Sequence, residues 1–185
     1  TLALRGEWAK AAEAYKKNAS NPEMLAYSQL LSGDSAGFQT TCQQQIDLIR
    51  RLDNPSIDEL RIAVVITSLN PNSDLDRTEI LGWARKCAER RNKFTLSALG
   101  DALYRYGHFQ RAADAFSEID NEPDTIYSGY AFQRALALYS VGELTEARRW
   151  YDHGISELAK ARTGDSPAFW AVGHWASVNA WKQEA

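Results

Sequence analysis

Between Leu96 and Ile119 the apolar residues recur on two helical faces separated by a turn. Leu96, Leu99, Gly100 and Leu103 are spaced i, i+3, i+4, i+7, the interval at which side chains line one face of an α-helix. Phe109, Ala112, Ala113, Phe116 and Ile119 repeat that spacing after Gly107-His108. The pattern predicts two short helices folded back on each other. Gly100 and Ala112 are small, so two backbones can approach there, and Phe116 supplies the bulk beside them.

A step of 35 residues reproduces the pattern. It carries Gly107 onto Gly142, Phe109 onto Leu144, Ala112 onto Ala147 and Phe116 onto Tyr151; it also carries Gly100 onto Ala135, Leu103 onto Leu138 and Tyr104 onto Tyr139. Each pair keeps its size class, which predicts two stacked helical hairpins over 94–123 and 127–161. Gly100, Gly107, Ala112, Phe116, Gly142, Ala147 and Tyr151 define the repeat. In this order of small, apolar and aromatic positions the chain resembles a tetratricopeptide repeat, which implies an all-α superhelix.

The flanking sequence extends the series. Trp8, Ala11, Ala12 and Tyr15 follow Gly6 much as the second-helix residues follow Gly107, predicting a helix over 7–19. Asn21-Pro22 supplies a cap and a first-turn proline for a helix to about Leu31. Gly33-Asp34 then turns the chain into the stripe Phe38, Cys42, Ile46, Ile49, completing a hairpin over 22–52. Ser56 with Glu59 forms a capping box for a helix over 57–69 carrying Leu60, Val64 and Ile66. After the loop-like run Asn70-Pro71-Asn72-Ser73, Ser73 or Asp74 is expected to cap a helix through Ile80, Trp83, Ala84, Cys87 and Ala88 to about Arg91, closing a hairpin over 56–91. Ser166-Pro167 opens a last helix over 166–184, read as a cap on the open end. The expected architecture is a right-handed solenoid of about five hairpins plus that cap, one domain over 1–185. Because it starts at Thr1, inside what reads as a hairpin, the chain is taken as a segment of a longer polypeptide.

Composition narrows the function. At 44% hydrophobic and 24% charged residues the chain is too apolar for disorder, and a net charge of −3 argues against a nucleic-acid partner. No run reaches the roughly 18 apolar residues of a membrane span, so no membrane insertion is expected. Cys42 and Cys87 lie on different expected helices without a CxxC partner and read as buried free thiols of a reducing, cytoplasmic compartment.

Several segments point to a narrower group: LLSGDSAGFQTTCQQQID (30–47), VITSLNPNSD (65–74), LSALGDALYRYGHFQRAADAF (96–116), LALYSVGELTEARRWYD (136–152) and WASVNAWKQEA (175–185). In that order they resemble the tetratricopeptide region C-terminal to the kinase domain of large bacterial serine/threonine protein kinases, particularly those of planctomycetes. Arg134, where the repeat has a core leucine, and the absence of a counterpart to Gly100 in the 56–91 hairpin depart from the family pattern. The resemblance implies that the parent phosphorylates proteins. This segment carries no Gly-rich phosphate loop, HRD-type loop or DFG, so it is read as non-catalytic, with no cofactor.

Residues able to carry chemistry are scattered. His108, His153 and His174 lack metal-ligand spacing, and Asp101, Asp114 and Glu118 read as solvated helix-face carboxylates. Arg90-Arg91 and Arg148-Arg149 read as solubilising pairs, and Trp8, Trp83 and Trp150 as core or hairpin contacts. Phe169, Trp170, Trp175, Val178 and Trp181 spread beyond one stripe of the last helix, which points to packing on the body, a missing segment or a partner.

The repeat resemblance implies that first helices line a concave groove. That places Ser97, Asp101, Tyr104 and Arg105, then Phe132, Leu136 and Tyr139, on a surface suited to a peptide or helix, whether a separate protein or another domain of the parent chain. Family members that clamp a terminal carboxylate use Lys and Asn where Ser97 and Asp101 stand, so that activity is not expected. The expected function is a non-catalytic protein-interaction scaffold of undetermined oligomeric state. The alternatives are an α-helical enzyme or small-ligand receptor, an RNA-binding helical repeat of the same period, and a spacer for the kinase domain.

Overall fold

Local capping chemistry sets the helix boundaries. Asn21 Oδ1 accepts from the Met24 N–H at 3.0 Å, with Pro22 in the first turn where its missing N–H costs nothing. Ser56 and Glu59 exchange bonds, the Glu59 N–H donating to Ser56 Oγ at 3.2 Å and the Ser56 N–H to Glu59 Oε2 at 2.7 Å. Gly107 and Gly142 hold φ of +80° and +90°, a left-handed conformation that lets the chain reverse within a few residues.

The computed structural model describes residues 2, 6–18, 21–70, 76–121 and 128–163, and among them the chain is all-helical, with no strand. In order come α1 (Trp8–Asn18), α2 (Pro22–Ser32), α3 (Ser35–Arg51), α4 (Ile57–Ser68), α5 (Arg77–Ala88), α6 (Lys93–Arg105), α7 (Phe109–Ser117) with a 3₁₀ turn (Glu118–Asn121), α8 (Ser128–Ser140) and α9 (Leu144–Thr163). The last helix expected over 166–184, with Phe169, Trp170, Trp175, Val178 and Trp181, lies outside the described residues.

One helix start is corrected. The cap of α5 is Asp76, which accepts from the Thr78 N–H at 2.8 Å, rather than Ser73 or Asp74. Asp76 places Glu79 in the first turn, where a carboxylate is favoured by the helix dipole and where it meets Arg50 of α3 at 2.6 Å. The helix stops at Ala88, short of Arg91, whose φ of +45° is incompatible with continuing it.

Each helix packs on its sequence neighbours, and α2, α4, α6 and α8 also touch one another in order. The molecule thus has a row of first helices, flanked by the second helices of the hairpins. Stripes predicted from spacing are interior: Phe38, Cys42, Ile46 and Ile49 of α3, and Leu60, Val64 and Ile66 of α4, are each below 5% exposed. Each such large side chain stabilises the fold by roughly 1.5–3 kcal/mol. Burial pushes the Cys42 thiol up to about 12 and the Cys87 thiol to about 11, so both stay protonated and unreactive.

Candidate functional site

Three polar ties cross the row of first helices. Arg61 of α4 reaches Glu23 of α2 at 3.0 Å, and Tyr27 donates to the same carboxylate at 3.1 Å. Arg105 Nε of α6 donates to the Ser68 carbonyl of α4 at 2.7 Å. Ser97 Oγ of α6 lies 3.4 Å from Gln133 Oε1 of α8. Each tie falls between neighbours in the row, so side chains expected to face a partner hold the helices to one another instead.

Asp101 is the most perturbed group in this row. It is buried, and Oδ1 has no hydrogen-bond partner. Burial pushes its carboxyl well above the ordinary carboxylate range, opposed by Arg105 and the Gln133 carboxamide and helped by the negative charge of Glu23. The reading of this carboxylate as solvated is overturned: α8 covers the face of α6 that it occupies, which residue spacing on α6 alone does not reveal. Asp114 is exposed and accepts from Gln110, and Glu118 pairs with Arg91 at 2.8 Å.

The remaining residues of the expected groove separate into two environments. Tyr104 is half-buried, its ring 5.2 Å from that of Phe109. Phe132 is buried, packed where Gly154 leaves space and edge-on to Tyr151 at 5.6 Å. Leu136 is half-buried and Tyr139 is 66% exposed. Ser97, Asp101 and Phe132 therefore belong to the interior, and Tyr139 to the surface.

Tyr139 has company that the groove reading missed. Leu144 (60%), Tyr151 (48%) and Ile155 (45%) of α9 are exposed large apolar side chains, separated by seven and four residues and so aligned along one face. On α8 only Tyr139 of the Phe132, Leu136, Tyr139 stripe is exposed, and beneath the surface the Phe132–Tyr151 contact joins α8 to α9. The last described hairpin thus presents an apolar strip across both its helices. The seven-residue interval between Leu144 and Tyr151 was the available signal; the repeat alignment assigned Tyr151 to packing instead.

Among the repeat-defining residues, Ala112, Phe116 and Ala147 are buried. A Cβ on Gly100 would stand 2.5 Å from two ring carbons of Phe116, so the close approach is physical. Arg134, at the core-leucine position, is buried with its guanidinium 4.1 Å from the Trp150 ring centroid, over the π-face. Arg148 and Arg149 pair with Asp152 and Glu146 at 3.0 and 2.6 Å, and Arg90 faces Asp58 at 3.8 Å, exposed pairs of about 0–1 kcal/mol each. Trp8 and Trp83 are half-buried. His108 precedes α7 without a side-chain cap bond, His153 stands edge-on to Trp150, and His174 is outside the described residues.

Among the described residues no group of three or more His, Cys, Asp or Glu side chains is placed to hold a metal ion, and no helix is long and apolar enough to cross a membrane. No protein-family model, characterised protein or solved structure matches the chain.

Proposed function

We propose that the chain is a tetratricopeptide-like, right-handed helical scaffold that binds a protein partner without catalysing a reaction. The observation that carries this reading is the apolar strip Tyr139, Leu144, Tyr151 and Ile155 on α8 and α9. Exposed apolar side chains gathered on one face mark a contact surface, and tyrosines contribute area there at low entropic cost. An amphipathic helix or extended segment, from another protein or from elsewhere in the parent chain, would cover it. The stitched row of first helices supports the reading by giving that strip a rigid backing.

The setting we propose is the cytoplasmic C-terminal region of a bacterial serine/threonine protein kinase, recruiting a substrate or regulator. That part rests on the sequence segments over 30–47, 65–74, 96–116, 136–152 and 175–185 alone. Translating the reading frame upstream of Thr1 checks it; a frame without a Gly-rich loop, HRD and DFG motifs would remove the kinase.

The scaffold reading is tested by recovering partners on the immobilised chain. Tyr139→Ala and Tyr151→Ala are expected to lose the partner while keeping the helical circular-dichroism spectrum. Unchanged recovery with both variants would sink the strip as the contact surface.

A further inference from the structure

A second surface lies away from the apolar strip. A cleft of about 420 Å³ opens between α1, α2 and α3, within the volume range of small-ligand sites. On α2 it is lined by Pro22, Leu25 and Gln29, roughly 140° around the helix from Glu23 and Tyr27, which face the row of first helices.

Gln29 organises the cleft. It is only 6% exposed, and its Oε1 accepts from Thr41 Oγ1 at 2.8 Å, an orientation that turns the Nε2 end toward the Asp34 carboxylate. The Nε2 end has no partner among the described residues and lies 2.8 Å from where a Cβ on Gly37 would stand. Asp34 is arranged alike: Oδ1 accepts from the Gly37 N–H at 2.9 Å, while Oδ2 lies against the same Cβ position and makes no other bond. Gly37, having no side chain, lets both groups close over its backbone, so that a donor, Gln29 Nε2, and an acceptor, Asp34 Oδ2, stand near each other at the cleft. Gln29 Nε2 is not among the enclosed polar atoms that lack a partner, so water or a ligand oxygen can reach it from the cleft.

We propose that this cleft binds a neutral saccharide of one or two rings. Neighbouring sugar hydroxyls each accept and donate, so two of them satisfy Gln29 Nε2 and Asp34 Oδ2 together. Gln44, Gln45 and Thr40 add further hydrogen-bonding groups on α3, and Tyr15 supplies an aromatic wall for the apolar face of a ring. Glu13 and Lys16 bring opposite charges to the rim, so no cationic cluster selects a phosphate. Ala12, Pro22 and Leu25 are the apolar lining, too little to form side-chain pockets for an extended peptide.

The test is an NMR titration of the full ¹⁵N-labelled chain with glucose, galactose, N-acetylglucosamine and maltose, each to millimolar excess. At least one sugar is expected to shift the Gln29 and Gln44 side-chain amides saturably. Asp34→Asn keeps an Oδ1 to cap α3 but replaces the free acceptor by a donor, and should weaken binding at least about tenfold. Gly37→Ala sets a methyl against the Asp34 carboxylate and the Gln29 amide, pushes them apart and should abolish it, while Tyr139→Ala should leave it intact, which separates this site from the partner-binding strip. No saturable shift with any sugar overturns the proposal. So does undiminished binding by folded Asp34→Asn, or a response of the same amides to N-acetyl-triglycine amide and to no sugar.

Discussion

The α6–α7 and α8–α9 hairpins have the same turn but opposite packing across it. In the first, the filler comes from the second helix: Phe116 of α7 occupies the notch at Gly100 of α6. In the second, the filler comes from the first helix: Phe132 of α8 occupies the notch at Gly154 of α9, where a Cβ would stand 2.9 Å from the ring. Ala135, 35 residues after Gly100, closes the notch that Tyr151 would have needed, and Tyr151 turns out to solvent. Trp150 takes the interior place instead, 5.6 Å from Tyr130 and beneath Arg134. A repeat can thus keep its backbone path while exchanging which helix supplies the bulk. Exchanging it is what leaves aromatic surface free on the last hairpin.

The largest effect that follows is a difference between two aligned aromatic residues. Phe116 is 0% exposed, and Phe116→Ala should cost about 3–5 kcal/mol, lost burial plus an unfilled cavity. Tyr151→Ala, at a half-exposed site, should cost within about 1 kcal/mol. Urea unfolding at constant slope measures both. Equal losses would mean that the two hairpins pack alike and that the exposed strip is not a surface at all.

What the sequence made legible was local. The Ser56–Glu59 box, the Asn21-Pro22 start and the turns at Gly107 and Gly142 depend on residues within a few positions of each other, and the apolar stripe of α3 depends on spacing alone. The 35-residue step located the α6–α7 and α8–α9 turns for the same reason. The notch at Gly154 was hidden because the 35-residue step put Tyr151 at the filler position and the groove expectation placed Phe132 on the surface. Asp101 was misread because the face of α6 it occupies is covered by α8, a contact that no periodicity within α6 encodes. The cap at Asp76 was displaced because Ser73, Asp74 and Asp76 are all chemically able to cap, and residue type alone does not choose among them.

The next contrast is between the notches. Gly100→Ala forces a methyl 2.5 Å from a fully enclosed ring, an overpacking cost of 1–3 kcal/mol only partly offset by the helix preference of alanine, for a net loss of about 1–2 kcal/mol. At Gly154 the ring has more room to yield, because Phe132 abuts half-exposed Tyr151, and Gly154→Ala should be near neutral. Combining Gly100→Ala with Phe116→Leu should cost less than the sum of the two, since the smaller filler relieves the clash. Strict additivity would show that the notch and the ring are not one structural unit.

The last contrast lies at the joint between the hairpins, where Asp101 of α6 sits beside Gln133 of α8 and is faced by Arg105 on its own helix and by Glu23 on α2. The near-isosteric Asp101→Asn keeps the shape and removes the titration. The folded pKa of Asp101 is raised, so between the ordinary carboxylate value near 4 and that raised value the folded chain holds a proton the unfolded chain has lost. Stability contributed by the neutral acid is therefore fully present at low pH and is lost as pH rises through that window. Wild type should fall behind Asp101→Asn from about pH 4 upward and draw level with it below, in thermal or urea unfolding followed across pH. Parallel pH curves for the two proteins would mean that Asp101 is charged and compensated in the fold. Arg105 would then be its ion-pair partner as well as the tie to Ser68, and the joint between the hairpins would be electrostatic.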